Sequence, residues 1–359
     1  MNSEAVKNRV RAISRKMKKS EIDCLIITKP ANVTYTTGFL GDDSWAVLIN
    51  GRSFLITDSR YTEQAQKECP ACNIIERREP LVNVAANIIK KYKSVQNVSI
   101  ENSTSVAEYV KMKKILKTPI KAAGSIIEDI RSIKDNGELS AIQIAASMAA
   151  GALEQTLPAV RHGMSENELA GLLDYQIRKL GAINSFDTIV AFGPNASIAH
   201  HQPGYRKLKK NDTILIDFGA KYKGYCSDIT RCFIFGKPNS YYKEVYDTVE
   251  KAQKAAIKLV KAGIAIKDVD FAARETIMQS GFPVYGHGTG HGLGIEVHES
   301  PALRPESDDI LLAGQVITIE PGIYMPNKLG VRIEDDVLVT EKGCKILTRT
   351  CPHSPNELK

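Results

Sequence analysis

The sequence predicts an α/β domain followed by an α+β domain, and three observations carry that expectation. At 359 residues the chain is longer than one ordinary hydrophobic core organises. Short β-branched runs alternate with amphipathic stretches through the first 125 or so residues, the pattern of strands and helices wound on one sheet. Beyond them, long helical periods alternate with apolar runs that turn on glycines, which suits helices gathered over a largely antiparallel sheet. The expected division is 1–131 and 132–359.

In the first domain an amphipathic helix over 5–19 leads into a strand over 22–28. PANVTYTTGF follows, where Pro30 and Gly38 mark a loop. Strands are expected at 45–49, 53–57, 73–76 and 97–101, and helices at 59–68, 80–93 and 104–116. A linker over 124–136 mixes glycine and charge and ends at a helix N-terminus. The second domain opens with a helix over 136–160, with Ala and Ile at helical spacing. Another over 165–180 starts at Ser165 with Glu168 three residues on, a capping box. Further helices fit 239–262 and 267–280, and strands fit 187–192, 213–218, 226–235, 315–320 and 331–339. No tandem repeat recurs.

No apolar run approaches the roughly 18 residues of a membrane helix, and the first twenty residues interleave charge with apolar positions instead of forming a signal sequence. A cytoplasmic protein with no membrane partner is expected. Seven scattered cysteines imply reduced thiols, and Cys69 and Cys72 form a CxxC with no second pair, which reads as coincidence and not a zinc knuckle. The Asn-x-Ser/Thr triplets at Asn32, Asn97, Asn102 and Asn195 carry no meaning in such a compartment. The net charge of +7 is uneven: residues 1–131 hold 22 basic against 14 acidic side chains, the remainder 26 against 27. Nucleic acid could use such a surplus, but lysines such as Lys16, Lys90 and Lys113 fall at exposed helical phases with no aromatic set between them. A solvated face, with no nucleic-acid partner, is the expectation.

The chemistry concentrates in TILIDFGAKYKGYCSDITRCFIF, residues 213–235. Asp217 and Asp228 stand there on two β-branched runs joined by a wide glycine-containing hairpin. Two carboxylates in so apolar a setting must be neutralised by protonation, basic partners or metal ions. Three further stretches place polar groups among apolar ones. YGHGTGHGLGIEVHESP, 285–301, holds His287, His291 and His298 among alternating glycines, which let backbone approach a ligand closely. VITIEPGIY, 316–324, is a strand ending in Glu320. In GVRIEDDVLV, 330–339, Arg332, Glu334 and Asp336 share one strand face, with Ile333 and Asp335 on the other.

Singly these are a turn, surface histidines and a same-face ion pair. Together, two Asp, one His and two Glu supply oxygen-rich ligands for two divalent metals, Mn²⁺, Co²⁺, Fe²⁺ or Zn²⁺, in preference to a thiolate-loving ion. Four carboxylates are neutralised by two divalent cations, which could then hold a bridging hydroxide. Other chemistries lack their motifs. His298-Glu299 continues as Ser-Pro-Ala, so HExxH is missing, as are GxSxG and the Walker GxxxxGK, and glycines spaced by two never form GxGxxG.

The order Asp217, Asp228, His291, Glu320, Glu334, in the phrases DFGAKYKGYCSDITR, HGTGHGLGIEVHE, TIEPGIY and VRIEDD, resembles the pita-bread metallopeptidases of family M24. That group holds Xaa-Pro aminopeptidase, prolidase and methionine aminopeptidase, and the likeness covers about residues 132–345. NVTYTTGF at 32–39 and LITDSRYTEQA at 55–65 resemble the creatinase-type N-terminal domain of its proline-specific branch. The implied fold is a creatinase-like α/β domain followed by an α+β pita-bread catalytic domain.

The resemblance implies that Asp217, Asp228 and Glu334 hold one or both metals as bridging or chelating groups, and that His291 and Glu320 bind the second, manganese being the expected ion. His200, in AFGPNASIAHHQP, matches a histidine that stabilises the tetrahedral intermediate. His298 matches a second substrate-contacting histidine, His287 borders the proline subsite, and Arg332 and Tyr324 back the metals and line the pocket. His201 has no counterpart and is expected to be structural or solvent-facing. Ala199 stands where the family often has proline. The implied activity is hydrolysis of the Xaa-Pro amide in small peptides with proline second, by a homodimer in which His200, His298 and Glu320 do the catalytic work. A prolidase confined to Xaa-Pro dipeptides is the alternative. A metal-free binding module of the same fold would lack some of the five ligands, all of which are present.

Overall fold

Two continuous apolar runs, Cys24–Ile27 and Trp45–Ile49, are buried along their whole length, as strands covered on both faces must be. They form the centre of a six-stranded mixed sheet in the first of two compact units, Met1–Arg131 and Ser132–Lys359. The computed structural model describes residues 3–352, 357 and 358. Across the first sheet the order is Asn73–Glu76, Arg52–Thr57, Trp45–Ile49, Cys24–Ile27, Val98–Ile100 and Ile120–Ala122. Trp45–Ile49 turns into Arg52–Thr57 through Asn50 and Gly51, both at positive φ (49° and 72°), the pair a tight hairpin of matching twist requires.

Two expectations fail here. PANVTYTTGF is not a loop: Pro30–Thr37 is a helix, with Pro30 in its first turn and Gly38 at φ 87° closing its C-terminus. Both residues punctuate a helix from outside its hydrogen-bonded interior, which is why they read as breakers. Its threonines make no objection to the helix because Thr36 and Thr37 donate their hydroxyls back to the Asn32 and Val33 carbonyls at 2.7 Å. The expected linker also contains a helix, Ile126–Ser132, preceded by the strand Ile120–Ala122.

In the second unit the predicted helices form at Asn136–Thr156, Glu166–Lys179, Ser240–Leu259 and Ile266–Gln279, the second opened by the Ser165–Glu168 capping box. The strands form four antiparallel groupings instead of one sheet, apart from one parallel pairing of Glu357–Leu358 with Ile229–Phe235. Thr213–Phe218 lies between Ile189–Phe192 and Ile229–Phe235. Its alternate residues serve different cores. Leu215, with Cys232 and Ile234, packs with Tyr242, Val249, Val269 and Ile277 of one helix pair, and Ile214 and Ile216, with Phe233, pack with Leu153, Leu169 and Leu173 of the other. A strand apolar on both faces shows no period of two, and Asp217 is the single half-buried break in it.

The expected strand over 331–339 is two. Leu329–Arg332 pairs with Gly322–Met325, while Asp335–Val339 pairs with Val316–Ile319, so the chain changes sheet across Ile333 and Glu334. The fully buried Arg231 holds that crossing, donating to the Glu334 carbonyl and, at 2.7 Å, to Asp335. Two of the alternating glycines are required by packing: a Cβ at Gly290 or Gly292 would run into the carbonyls of Thr318 or Ser300 of neighbouring backbone.

Candidate active site

Each predicted carboxylate stands where backbone leaves a ladder or beside such a point. Asp217 is near the end of its strand, paired across with Thr230. Asp228 occupies the break between Tyr225–Cys226 and Ile229–Phe235, Glu320 follows Val316–Ile319, and Glu334 sits at the change of sheet. His291 is central in the short strand Gly290–Gly292. These five line one cavity of about 300 Å³ with His200, His287, His298 and Arg332. Phe186, Ile189 and Val297, which the sequence reading did not single out, provide its apolar wall.

Asp228, His291 and Glu334 each offer a ligand atom within 4.8 Å of the others. His291 Nε2 lies 3.3 Å from Glu320 Oε1 and 3.7 Å from Asp228 Oδ2, while its Nδ1 donates to the Gly292 carbonyl at 3.1 Å. That backbone bond leaves Nε2 as the ligand atom facing the acids. Glu334 accepts the Thr230 hydroxyl at 2.6 Å, and Asp217 Oδ2 accepts Arg332 Nη2 at 2.6 Å. Thr230 follows Asp228 by two positions, so strand period was a signal that could have found it. Asp217 Oδ1 is buried with no hydrogen-bond partner among the described residues. An orphaned carboxylate oxygen beside three further acids and an outward lone pair of His291 is what a cation would satisfy, so these residues fit the metals the sequence implies.

The electrostatics agree. Burial, then the charges of the other acids, push Asp228 and Glu334 well above the ordinary carboxylate range, and burial raises Asp217 despite Arg332. Burial works against ionisation of Glu320 too, but the His291 hydrogen bond and the charges of His291, His287 and Arg332 hold it at about 2. Burial also disfavours a charged His291, yet Glu320 raises it. A group raised on folding stabilises the fold while protonated and loses that contribution as pH climbs through its folded value. Asp217, Asp228, Glu334 and His291 all act in this sense, whereas Glu320 contributes above the carboxylate range and loses its contribution as pH falls towards 2. Chelator-treated protein should therefore melt at falling temperature as pH climbs above the ordinary carboxylate range, and saturating divalent metal should flatten the trend. Melting curves across that range test this; a Tm independent of pH without metal would show that the acids do not repel.

The remaining predicted residues surround the cluster. Arg332 is buried and also donates to the Thr230 hydroxyl at 3.0 Å, the Tyr324 hydroxyl at 2.9 Å and the Ala199 carbonyl at 3.3 Å. His287 donates Nδ1–H to the Gly288 carbonyl at 2.7 Å, so its Nε2 accepts the Tyr324 hydroxyl at 2.9 Å. Burial lowers the pKa of His287, although Glu320 pulls it the other way. Tyr324 is not in the cavity wall and reaches it only through His287 and Arg332. Helix Ile266–Gln279 holds this histidine's loop, Arg274 donating to the Tyr285 and His287 carbonyls at 2.8 and 2.6 Å. His298 meets the His291 ring edge-on at 4.3 Å, and burial, followed by His291, lowers its pKa. His201 is not solvent-facing; it lies 2.9 Å from the buried Glu166. The pair Cys69 and Cys72, like the other five cysteines, is free.

Comparison with known proteins gives this geometry its relatives. The profile of metallopeptidase family M24 matches residues 140–341, and that of the creatinase/prolidase N-terminal domain matches 9–133. An uncharacterised peptidase of Bacillus subtilis, YqhT, is 39% identical over 341 residues, covering 94% of this chain and 95% of its own. Among solved structures, the Xaa-Pro dipeptidase from Bacillus anthracis superposes with a TM-score of 0.91 at 34% identity, over 98% of this chain and 99% of its own. The X-Pro aminopeptidase from Thermotoga maritima gives 0.87 at 36%, over 95% and 99%. Pita-bread fold, creatinase-type first domain and sequence kinship coincide: the chain belongs to metallopeptidase family M24, in its prolidase and X-Pro aminopeptidase branch.

Proposed function

We propose that the protein is an Xaa-Pro aminopeptidase, removing the residue before proline from the N-terminus of peptides. The observation that carries this reading over a strict dipeptidase is the charge of the cavity. Arg332 is the one Lys or Arg among the described residues lining it, and four of its five N–H donors serve Asp217, Thr230, Tyr324 and Ala199. A dipeptide would bring its C-terminal carboxylate to a wall whose one guanidinium among the described residues is already paired with Asp217. A longer peptide presents a neutral amide there.

Asp217, Asp228, His291, Glu320 and Glu334 would hold two divalent ions, Mn²⁺ first with Co²⁺, Fe²⁺ or Zn²⁺ as alternatives, which when bound supply a water acidic enough to ionise near neutrality and a Lewis acid for the scissile carbonyl. Proline's amide has no N–H to offer, so its recognition falls to shape, and Phe186, Ile189 and Val297 give the ring an apolar wall. Glu320, kept ionised against its burial by His291, His287 and Arg332, is the carboxylate placed to accept the proton of the attacking water. His200 and His298 donate N–H groups to the oxyanion as it develops.

The test sets an Xaa-Pro dipeptide beside an Xaa-Pro-Xaa tripeptide, using chelator-stripped protein with and without added Mn²⁺ or Co²⁺. Metal-dependent cleavage of the tripeptide is expected. Cleavage of the dipeptide alone would make the protein a prolidase, and cleavage of neither with any metal would favour a binding module.

A further inference from the structure

His200 reaches the cavity from the loop over 193–204, and both residues flanking it are held. The Ala199 carbonyl accepts Arg332 Nη1 at 3.3 Å, and His201 Nε2 lies 2.9 Å from Glu166 Oε2. Glu166 stands in the first turn of helix Glu166–Lys179 with its side chain wholly buried. That helix is already capped by Ser165 and Glu168, so the cap makes no use of Glu166. Its carboxylate instead collects donors from the whole loop. Oε1 accepts the Phe192 N–H at 2.8 Å and Asn195 Nδ2 at 2.9 Å; Oε2 accepts His201 and, at 3.0 Å, the Gly204 N–H.

A buried carboxylate must be saturated with donors. Here the four come from both ends and the middle of one loop, so satisfying the charge also fixes the loop's path. The His201 N–H donating to the Ile198 carbonyl at 3.1 Å tightens the turn between them. With Ala199 and His201 both pinned, the His200 backbone has little room to shift.

We propose that Glu166 and His201 form a positioning pair that sets the placement of His200 for hydrolysis, an inference that rests on His200 acting as read above. Neither residue touches substrate; each acts through the loop. Misplacing a catalytic group by about 1 Å costs up to about a hundredfold in rate.

The experiment measures kcat and KM of metal-loaded protein on an Xaa-Pro-Xaa tripeptide for His201→Ala, His201→Gln, Glu166→Gln, His200→Ala and the double variant of His200→Ala with His201→Ala. His201→Ala should lower kcat about tenfold or more with KM within about twofold, and His201→Gln, which keeps an N–H for Glu166, should recover most of it. In the His200→Ala background, His201→Ala should cost nothing further. An equal loss with and without His200, or wild-type kcat in His201→Ala beside an impaired His200→Ala, would overturn the pair's role while leaving the proposed activity intact. Wild-type kcat in His200→Ala would remove His200 from the mechanism, and the positioning pair with it. Should His201→Ala fail to fold, Glu166→Gln carries the same comparison, since it keeps the shape while replacing one acceptor oxygen by an NH2 group that cannot accept from the loop donors on that side.

Discussion

Asp228→Asn will abolish hydrolysis of Xaa-Pro peptides, by about 10³-fold or more, while leaving a folded protein that no longer gains stability from divalent metal. The rate follows from the several kcal/mol that metal-assisted hydrolysis draws from its cations. The stability result separates this variant from an ordinary core lesion. Asp228 is 5% exposed and is pushed towards protonation by burial and then by Glu334, Asp217, Asp336 and Glu320. Asparagine keeps the volume, and the backbone N–H of residue 228 still donates to Asp336 at 3.2 Å. One negative charge fewer means less repulsion, so without metal the variant should melt no lower than wild type. With metal at about a hundred times its dissociation constant, wild type should gain about 2.7 kcal/mol, and the variant should lose most of that. Retained turnover, or a full metal-induced rise in Tm, would remove Asp228 from the metal site.

Much of this site was legible in the sequence because its ligands interrupt apolar runs. Asp217 stands out within TILIDF, and Glu320 at the end of VITIE, since a carboxylate in a strand covered on both faces needs a reason. Their convergence was less legible. Arg332, Glu334 and Asp336 alternate as one strand would make them, yet the chain changes sheet between the first and the last. Arg332 and Glu334 therefore face the cavity, while Asp336 sits behind it under Asp228. Tertiary contacts fix that change, among them those of Arg231 with the Glu334 carbonyl and Asp335 and of Thr230 with Glu334, and the partners lie about a hundred residues away in sequence. Glu166 was hidden for the same reason. It reads as one of two acids in a helix's first turn, where Glu168 has the recognisable capping role, and nothing local points to the loop over 193–204. The helix Pro30–Thr37 was misread on local grounds alone: its two punctuating residues lie at its ends, and a short threonine-rich run has no helical period to set against them.

Arg332→Met will cost about 3–5 kcal/mol of stability in the metal-free protein, because it breaks a buried ion pair on one side only. Arg332 is 3% exposed, and its Nη2 lies 2.6 Å from Asp217 Oδ2. The other oxygen of Asp217 already lacks a partner among the described residues, so methionine would leave that carboxylate buried and unrelieved. Lysine should rescue little, since one ammonium cannot reproduce a fork that serves Asp217, Thr230, Tyr324 and Ala199 at once. Two measurements distinguish lost charge compensation from lost packing. Bound metal takes up part of the Asp217 charge, so the drop in Tm should be smaller with divalent metal than with chelator. Adding Asp217→Asn to Arg332→Met should restore most of the metal-free stability, because the orphaned charge is gone although the packing defect remains. If the double variant were as unstable as Arg332→Met alone, the guanidinium would matter through its volume and its hold on Thr230, Tyr324 and Ala199. If Arg332→Met melted with wild type, the pair would contribute nothing, and Asp217 would have to be protonated in the metal-free fold.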